Sequence, residues 1–225
     1  MAWAGLHIQI KENWLYIIIK NLYKDTSYYN IFKESIIYIR NNKLLLNVFL
    51  ITIIFNLWAY PYISMLPVIG KDILNYSGQD ISILASIEGF GSLLGVLIIL
   101  IYNKYKFYNR YYVGGTILTL ICSFLFCFTF NYASSVIILL ISGIGSGFFG
   151  VMQNVLIALH SPNKVKGAMF GILTMCIGFA SLGYLHIGLL SLWLGVKYAI
   201  VLISIEGLIV LILTIYLSPN LIKKN

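Results

Sequence analysis

One acidic side chain, Glu88, lies inside an apolar run that extends from Ile81 to Tyr102. A run of this length can cross the roughly 30 Å hydrocarbon core of a bilayer as a single helix. A charged residue near the centre of such a helix costs about 2.5–3.5 kcal/mol on insertion scales, so acids there face a cavity or a polar partner. Glu88 is therefore either a functional group that faces a cavity or a neutral carboxyl that hydrogen-bonds two helices together.

Three more polar side chains lie inside later apolar runs. Glu206 is well inside the last run, where a role in transport and a hydrogen bond to a neighbouring helix are both open. Gln153 and Asn154 are adjacent, and successive helix positions differ by about 100°, so at most one of them points into a given cavity. Their amides are candidates for binding a substrate or for hydrogen-bonding another helix.

Two tyrosines flank a proline in the first apolar run. Tyr60 and Tyr62 lie on either side of Pro61, at which we expect a kink. With Asn56 they could line a cavity, and an aromatic wall would suit an amphipathic or cationic ligand. Ordinary helix packing is the competing interpretation for all three residues.

The composition indicates an integral membrane protein. Of the 225 residues, 60% are hydrophobic and 10% are charged, whereas soluble domains are nearer half apolar and a quarter charged. The net charge of +8 does not indicate nucleic-acid binding, because Lys and Arg form short clusters between apolar runs rather than one basic face. The runs long enough to span a bilayer are Leu44–Val68, Ile81–Tyr102, Tyr112–Phe130, Ser135–His160, Ala168–Leu190 and Tyr198–Leu217.

The basic residues predict the orientation of these six spans. Thirteen of the fifteen Lys and Arg lie before the first span, in the second and fourth connections, or after the last span. The other two, Lys71 and Lys197, lie in connections on the opposite side. Because cytoplasmic loops are enriched in Lys and Arg, the pattern predicts a multi-pass protein of the cell membrane with both termini in the cytoplasm.

The first 43 residues differ from the spans, because charges interrupt their apolar residues every few positions. Phe32, Ile36, Ile37 and Ile39 alternate with charged residues at helical spacing, as in an amphipathic helix at a membrane surface. The predicted organisation is a cytoplasmic amphipathic linker over 1–43, a bundle of six transmembrane helices over 44–218, and a cytoplasmic basic tail over 219–225.

Glycines four residues apart predict where the spans pack closely. In lipid, small residues allow helix backbones to approach one another, which stabilises helix pairs. Such contacts serve either as sliding surfaces in alternating access or as static packing within a bundle. The pairs are Gly91 with Gly95, Gly143 with Gly147, and Gly167 with Gly171.

Three stretches carry a family resemblance: "FKESIIYIRNNKLL", "YPYISMLPVIGKDILNYSGQDISILASIEGFGSLLG" and "SPNKVKGAMFGI". The first resembles the linker helix between the two halves of major facilitator superfamily transporters. The second resembles their seventh helix, outer loop and eighth helix, especially in the drug- and siderophore-exporting branch that includes the enterobactin exporter. The third resembles their connection between the tenth and eleventh helices. One departure is Asn103 and Lys104, where family members often have an Asp followed by a basic residue.

The resemblance implies an all-α membrane protein whose six helices form one major-facilitator-type bundle of two inverted three-helix repeats. It places Glu88 on a helix that borders the central cavity, where this residue would bind protons or a cationic substrate. Gln153 and Asn154 would lie on another cavity-lining helix and contact the substrate. Glu206 would lie on a supporting helix away from the cavity.

These features predict a half-length secondary transporter, most simply a proton-coupled exporter of small amphipathic molecules that works by alternating access. Six helices cannot enclose the central cavity alone, so we expect a separately encoded N-terminal half or a second copy of the chain as partner. The alternatives are a non-functional fragment of a split transporter and a non-transporting membrane scaffold subunit. The sequence contains no catalytic constellation, phosphate-binding loop or metal-binding histidine spacing, so we expect no enzyme activity, cofactor, metal or nucleic-acid partner.

Overall fold

The computed structural model describes residues 28–102 and 104–218, and these residues form helices and no strand. Most of the predicted linker (residues 1–27), Asn103 and the predicted tail (219–225) lie outside the described residues. The main α-helices are α1 (Tyr28–Asn41), α2 (Lys43–Ile54), α3 (Gly78–Ile101), α4 (Tyr108–Phe126), α5 (Tyr132–His160), α6 (Lys166–Gly178), α7 (Ala180–Leu194) and α8 (Val196–Leu217).

Within the described ranges, five helical segments are long and apolar enough to cross a membrane. The helix at the third predicted span is the exception: α4 begins at Tyr108 rather than Tyr112 and ends at Phe126 rather than Phe130. Because this 19-residue helix includes Asn109 and Arg110 in its first turn, it is less apolar than the others. Length and composition therefore support five of the six predicted spans. In the structure the corresponding helical segments are Lys43–Ile73, Gly78–Ile101, Tyr132–His160, Lys166–Leu194 and Val196–Leu217.

The first span is interrupted in its middle. After Ile54 the chain continues to Ile73 through π-helical, 3₁₀ and short α-helical turns. Pro61 has no backbone N–H to donate, and the N–H of Tyr60 bonds to the carbonyl oxygen of Phe55, five residues back, at 2.9 Å. The backbone thus departs from α-helical geometry on both sides of Pro61, and we refer to residues 55–65 as the irregular segment.

Helices α3 and α5 pack backbone against backbone at their glycines. A Cβ added to Gly95 would lie 2.5 Å from a carbonyl oxygen of α5, and one added to Gly143 would lie 2.9 Å from the Cα of Gly91. Gly147 meets the backbone of Ser92 in the same way. A larger residue at any of these four glycines would push the two helices apart.

The third glycine pair is placed differently. Gly167 and Gly171 lie on α6, and no atom of a neighbouring element lies within 4 Å of a Cβ added at either position. The expected close packing at these two residues is not found, because they are on an exposed face of α6. A close contact that the glycine spacing did not predict joins α4 to α5, where a Cβ on Gly115 would lie 2.5 Å from the carbonyl oxygen of Gly145.

Polar contacts bring three of the predicted cytoplasmic segments together at one end of the bundle. Lys164, between α5 and α6, forms an ion pair with Glu34 of α1, with 2.9 Å between Nζ and Oε2. The hydroxyl of Tyr105, between α3 and α4, lies 3.1 Å from Nε2 of His160 at the end of α5. The segments that the charge pattern assigns to one side of the membrane therefore lie side by side.

At the other end, an open cleft of about 230 Å³ lies between the end of the first span, the end of α4 and the start of α8. The ammonium group of Lys197 lies 5.3 Å from the ring centroid of Phe128 there. Helix α4 therefore runs from one end of the bundle to the other. The cleft is lined by Ile69, Ile73, Leu74, Phe126, Cys127, Thr129, Phe130 and Lys197.

Apolar side chains cover much of the outer surface. On α1, Ile39 is buried against the bundle, whereas Phe32, Ile36 and Ile37 are exposed. The outward faces of α3 and α8 also expose large aliphatic side chains. Soluble monomers rarely show apolar surface of this extent, whereas a lipid environment accommodates it.

Candidate functional site

The side chain of Glu88 lies between α3 and α5 and is partly buried. Its Oε1 accepts a 2.9 Å hydrogen bond from the hydroxyl of Ser146 on α5. The same hydroxyl is 2.9 Å from the carbonyl oxygen of Gly143. Because the glycine contacts bring the two backbones together, a short serine side chain is long enough to reach the acid.

Two tyrosines, Tyr60 and Tyr62, belong to the irregular segment. Tyr62 packs in one apolar cluster with Leu84 of α3 and Leu139 of α5. Tyr62 is buried, and its hydroxyl oxygen lies 2.7 Å from that of Ser142, one helical turn before Ser146 on α5. Tyr60 is only partly buried. We define the candidate site as Glu88, Ser146, Tyr60 and Tyr62, which gather where the first span meets α3 and α5.

Tyr62→Phe is expected to destabilise the bundle by about 1 kcal/mol, the typical net contribution of one hydrogen bond, because it removes the link to Ser142. The matched control is Tyr60→Phe, since the Tyr60 hydroxyl has no hydrogen-bond partner among the described residues. Unfolding of both variants by denaturant titration in bicelles provides the measurement. Equal stability of the two variants would show that the Tyr62–Ser142 hydrogen bond does not stabilise the packing of the irregular segment against α5.

Asn56 is placed inside the helix packing. Its side chain is buried, and its Nδ2 donates a 2.8 Å hydrogen bond to the carbonyl oxygen of Thr52, one turn earlier. The neighbouring ring of Phe55 stacks on Phe149 of α5 with 3.7 Å between centroids, and Phe149 stacks in turn on Tyr112 at 5.3 Å. This geometry favours the packing interpretation of Asn56 over contact with a substrate.

The two adjacent amides of α5 have different environments. Gln153 is buried, and its Oε1 has no hydrogen-bond partner within the described part of the chain. Asn154 is exposed, and its Nδ2 donates a 2.9 Å hydrogen bond to the carbonyl oxygen of Gly150. An unsatisfied buried acceptor costs about 1–3 kcal/mol, so Gln153 is the amide with unused capacity to accept a hydrogen bond. It lies two turns from Ser146 on the same side of α5.

The second acid, Glu206 of α8, contacts two other elements. Its Oε2 accepts a 3.0 Å hydrogen bond from the indole N–H of Trp58, which belongs to the irregular segment. The same oxygen lies 3.5 Å from Nε2 of His186 on α7. This geometry agrees with the hydrogen-bonding interpretation of Glu206.

The partners of both acids were not among the predicted site residues. Ser142 and Ser146 are four residues apart in "SGIGSG", which places them on one face of α5, so their spacing was a usable signal. Trp58 and Glu206 are 148 residues apart in the sequence, and no local pattern links them.

Comparison with known proteins gives one relevant similarity. No family model matches the sequence, and no solved structure matches it. The chain is 28% identical over 198 residues to a protein of Bacillus subtilis (strain 168) named "Putative bacilysin exporter BacE". It is similar to an exporter. The match covers 86% of this chain and 46% of that protein, so the chain spans about half the length of this relative.

The similarity and the fold point to the same class of protein. Within the described residues, five helices are long and apolar enough to cross a membrane. The relative, which matches 86% of this chain, is named as an exporter. Together these findings indicate a multi-pass membrane protein that is similar to about half of an exporter.

Proposed function

We propose that the chain is one half of a proton-coupled exporter of small amphipathic molecules in the cell membrane. The observation that carries the proposal is the position of Glu88 within an apolar helix, where its partly buried carboxyl group bonds to Ser146, one helical turn from the contact between Ser142 and Tyr62. Acids inside membrane spans commonly mark ion or substrate pathways. A site that combines a carboxylate with tyrosine side chains would suit a ligand that is both apolar and cationic.

The proposal includes six membrane crossings, with both termini in the cytoplasm. Helix α4 is the least apolar of the six, but its end lines the cleft on the side opposite the Lys164–Glu34 ion pair. Arg110 near its start would then lie at the cytoplasmic headgroup level, where basic and aromatic residues are common. The ion pair supports a shared side for α1 and the connection between α5 and α6.

The mechanism we propose is alternating access, in which two six-helix bundles of major facilitator type rock around a site near the membrane midplane. The ionised Glu88 attracts a cationic substrate from the cytoplasm, and a proton arriving from outside neutralises the carboxylate and releases the substrate outward. The protonated site returns and loses its proton to the cytoplasm. Gln153 would accept a hydrogen bond from the substrate, since its Oε1 lacks a partner among the described residues. The exposed Asn154 would meet the substrate or the other bundle.

A partner is needed to enclose such a site. The chain matches 46% of its relative's length, and the face of α6 that carries Gly167 and Gly171 is open. A separately encoded N-terminal half, or a second copy of the chain, would cover this face. The proton gradient supplies the energy, so the mechanism requires no cofactor and no enzymatic step.

Deleting the gene is expected to raise the cellular accumulation of exported compounds. Bacilysin and a fluorescent lipophilic cation serve as two probes, and a plasmid copy of the wild-type gene should restore low accumulation. A protonophore should raise accumulation in the complemented strain to the level of the deletion strain. Unchanged accumulation of both probes after deletion would contradict the exporter proposal and favour a non-transporting membrane subunit.

A further inference from the structure

Glu206 lies at a contact that the candidate site does not use. One oxygen of its carboxyl group, Oε2, meets the indole N–H of Trp58 at 3.0 Å and Nε2 of His186 at 3.5 Å. The indole N–H is a donor only, whereas the imidazole can be protonated or neutral. The three side chains come from the irregular segment, α7 and α8, and they join these elements at a single oxygen atom.

With one proton shared between them, Glu206 and His186 would carry no net charge as a pair. The proton either remains on Oε2 beside a neutral imidazole or moves to Nε2, which leaves a carboxylate beside an imidazolium. Loss of this proton leaves a bare carboxylate, and gain of a second leaves an imidazolium beside a neutral acid. Either change places an uncompensated charge in an apolar span. The Glu206 and His186 side chains are 34% and 35% exposed, so protons can reach them.

The pair is packed against the backbone irregularity of the first span. Trp58 belongs to the π-helical turn Phe55–Ala59. Gly207, next to Glu206, would place a Cβ 2.7 Å from the Cβ of Trp58, and Gly183 of α7 would place one 2.7 Å from the carbonyl oxygen of Leu57. The turn is therefore in close contact with both α7 and α8, and π-helical turns are frequently found at functional sites.

Few other titratable groups are near the pair on the elements packed against α8. On α7 the other such group is Tyr184, on the same helix as His186, and on α4 the buried Cys122 lies two residues from Leu120, which Gly207 contacts. The charged groups of α2 and α4 are near their cytoplasmic ends, about two helical turns or more away along each helix. The π-helical turn itself contributes only Trp58, which does not titrate.

We propose that Glu206 and His186 form a proton-binding site separate from Glu88. The protonation state of this site determines the strength of the hydrogen bond between Trp58 and Glu206. Both residues of this site are positioning residues, because they reach Tyr60 and Tyr62 only through the irregular segment that Trp58 anchors. A carboxylate oxygen accepts the indole hydrogen bond more strongly than a neutral acid does. A role of this site in export rests on the proposed function. The existence of the proton-binding site does not depend on that function.

The test uses Trp58 as its own reporter. The chain has four tryptophans. Trp58 becomes the single tryptophan in a variant that carries Trp3→Phe, Trp14→Phe and Trp193→Phe. In lipid nanodiscs, the emission of Trp58 should change with pH in two steps, as coupled titrations do. Glu206→Gln should leave at most one step, because only His186 of the pair can then bind a proton.

His186→Gln should reduce the two steps to one, and Glu34→Gln, at an exposed ion pair, should leave both steps in place. Emission of Trp58 that does not respond to pH, or a Glu206→Gln variant that keeps the full transition, would overturn the proposal. If Glu206→Gln does not fold, the ¹⁵N resonances of the three histidines in the unsubstituted chain give a second readout. A His186 resonance that titrates in a single isolated step would equally overturn it. Neither measurement requires transport, so a failure here is distinguishable from a failure of the exporter proposal.

Discussion

Glu88→Gln will abolish the pH-driven part of export while the bundle stays folded in the membrane. Glutamine has nearly the shape of glutamate and can still accept the hydrogen bond from Ser146. Its side-chain amide, however, does not bind or release a proton as a carboxyl group does. It also cannot attract a cationic substrate. The assay is uptake of a lipophilic cation into inside-out vesicles whose lumen is made acidic, because outward export in the cell corresponds to inward uptake there.

The matched control for this result is Glu34→Gln. Glu34 is exposed and forms an ion pair with Lys164 at the predicted cytoplasmic end, and exposed pairs contribute only about 0–1 kcal/mol. Its loss should leave pH-driven uptake at the wild-type rate. Wild-type uptake by Glu88→Gln vesicles, at equal amounts of protein, would remove Glu88 from the transport mechanism.

Gly143→Ala will destabilise the bundle by about 1–3 kcal/mol, the usual cost of overpacking a close contact. Its new methyl group would contact the carbonyl oxygen of Glu88 and lie 2.9 Å from both the Cα of Gly91 and the N of Ser92. These are backbone atoms, which cannot move aside as a flexible side chain would, so α3 and α5 must separate. The same separation would stretch the hydrogen bond between Ser146 and Glu88, and export should fall with stability.

Gly171→Ala is the contrasting substitution on α6. Its methyl group would meet no neighbouring atom, and alanine is favoured over glycine inside a helix by about 0.5–1 kcal/mol. Denaturant titration in bicelles should therefore find this variant as stable as the wild type or slightly more stable. A destabilisation equal to that of Gly143→Ala would mean that the face of α6 is packed rather than open.

Sequence spacing predicted which face of a helix a residue lies on, but not what that face meets. Gly91 with Gly95 and Gly167 with Gly171 have the same spacing, yet the first pair touches α5 and the second is open. The difference depends on which helices are neighbours, and that is decided by packing of the whole bundle. Spacing alone carries no information about it.

The sequence was also a limited guide to helix boundaries and to contacts between residues far apart in the chain. The span predicted at Tyr112–Phe130 formed as α4, Tyr108–Phe126, because the chain begins its helix within the polar residues before the apolar run. Proline chemistry indicated an irregularity at Pro61, but the packing of the π-helical turn Phe55–Ala59 against α7 and α8 left no local signal. Hydrogen bonds between elements far apart in sequence, such as Trp58 to Glu206, become visible only once the helices are assembled.

One six-helix half of an exporter requires six membrane crossings, and the sidedness of the two termini tests this most directly. An even number of crossings puts both termini on one side, whereas five crossings, with α4 excluded, would put them on opposite sides. A cysteine added at each end can be labelled with a membrane-impermeant maleimide, since the three native cysteines are buried. Lys71→Cys, in a connection predicted to lie outside, is the positive control.

We predict that intact cells will label Lys71→Cys and neither terminal cysteine, and that permeabilised cells will label all three. Labelling of one terminus but not the other in intact cells would contradict the account. In that case α4 would not cross the membrane, and the chain would not form one six-helix half of an exporter.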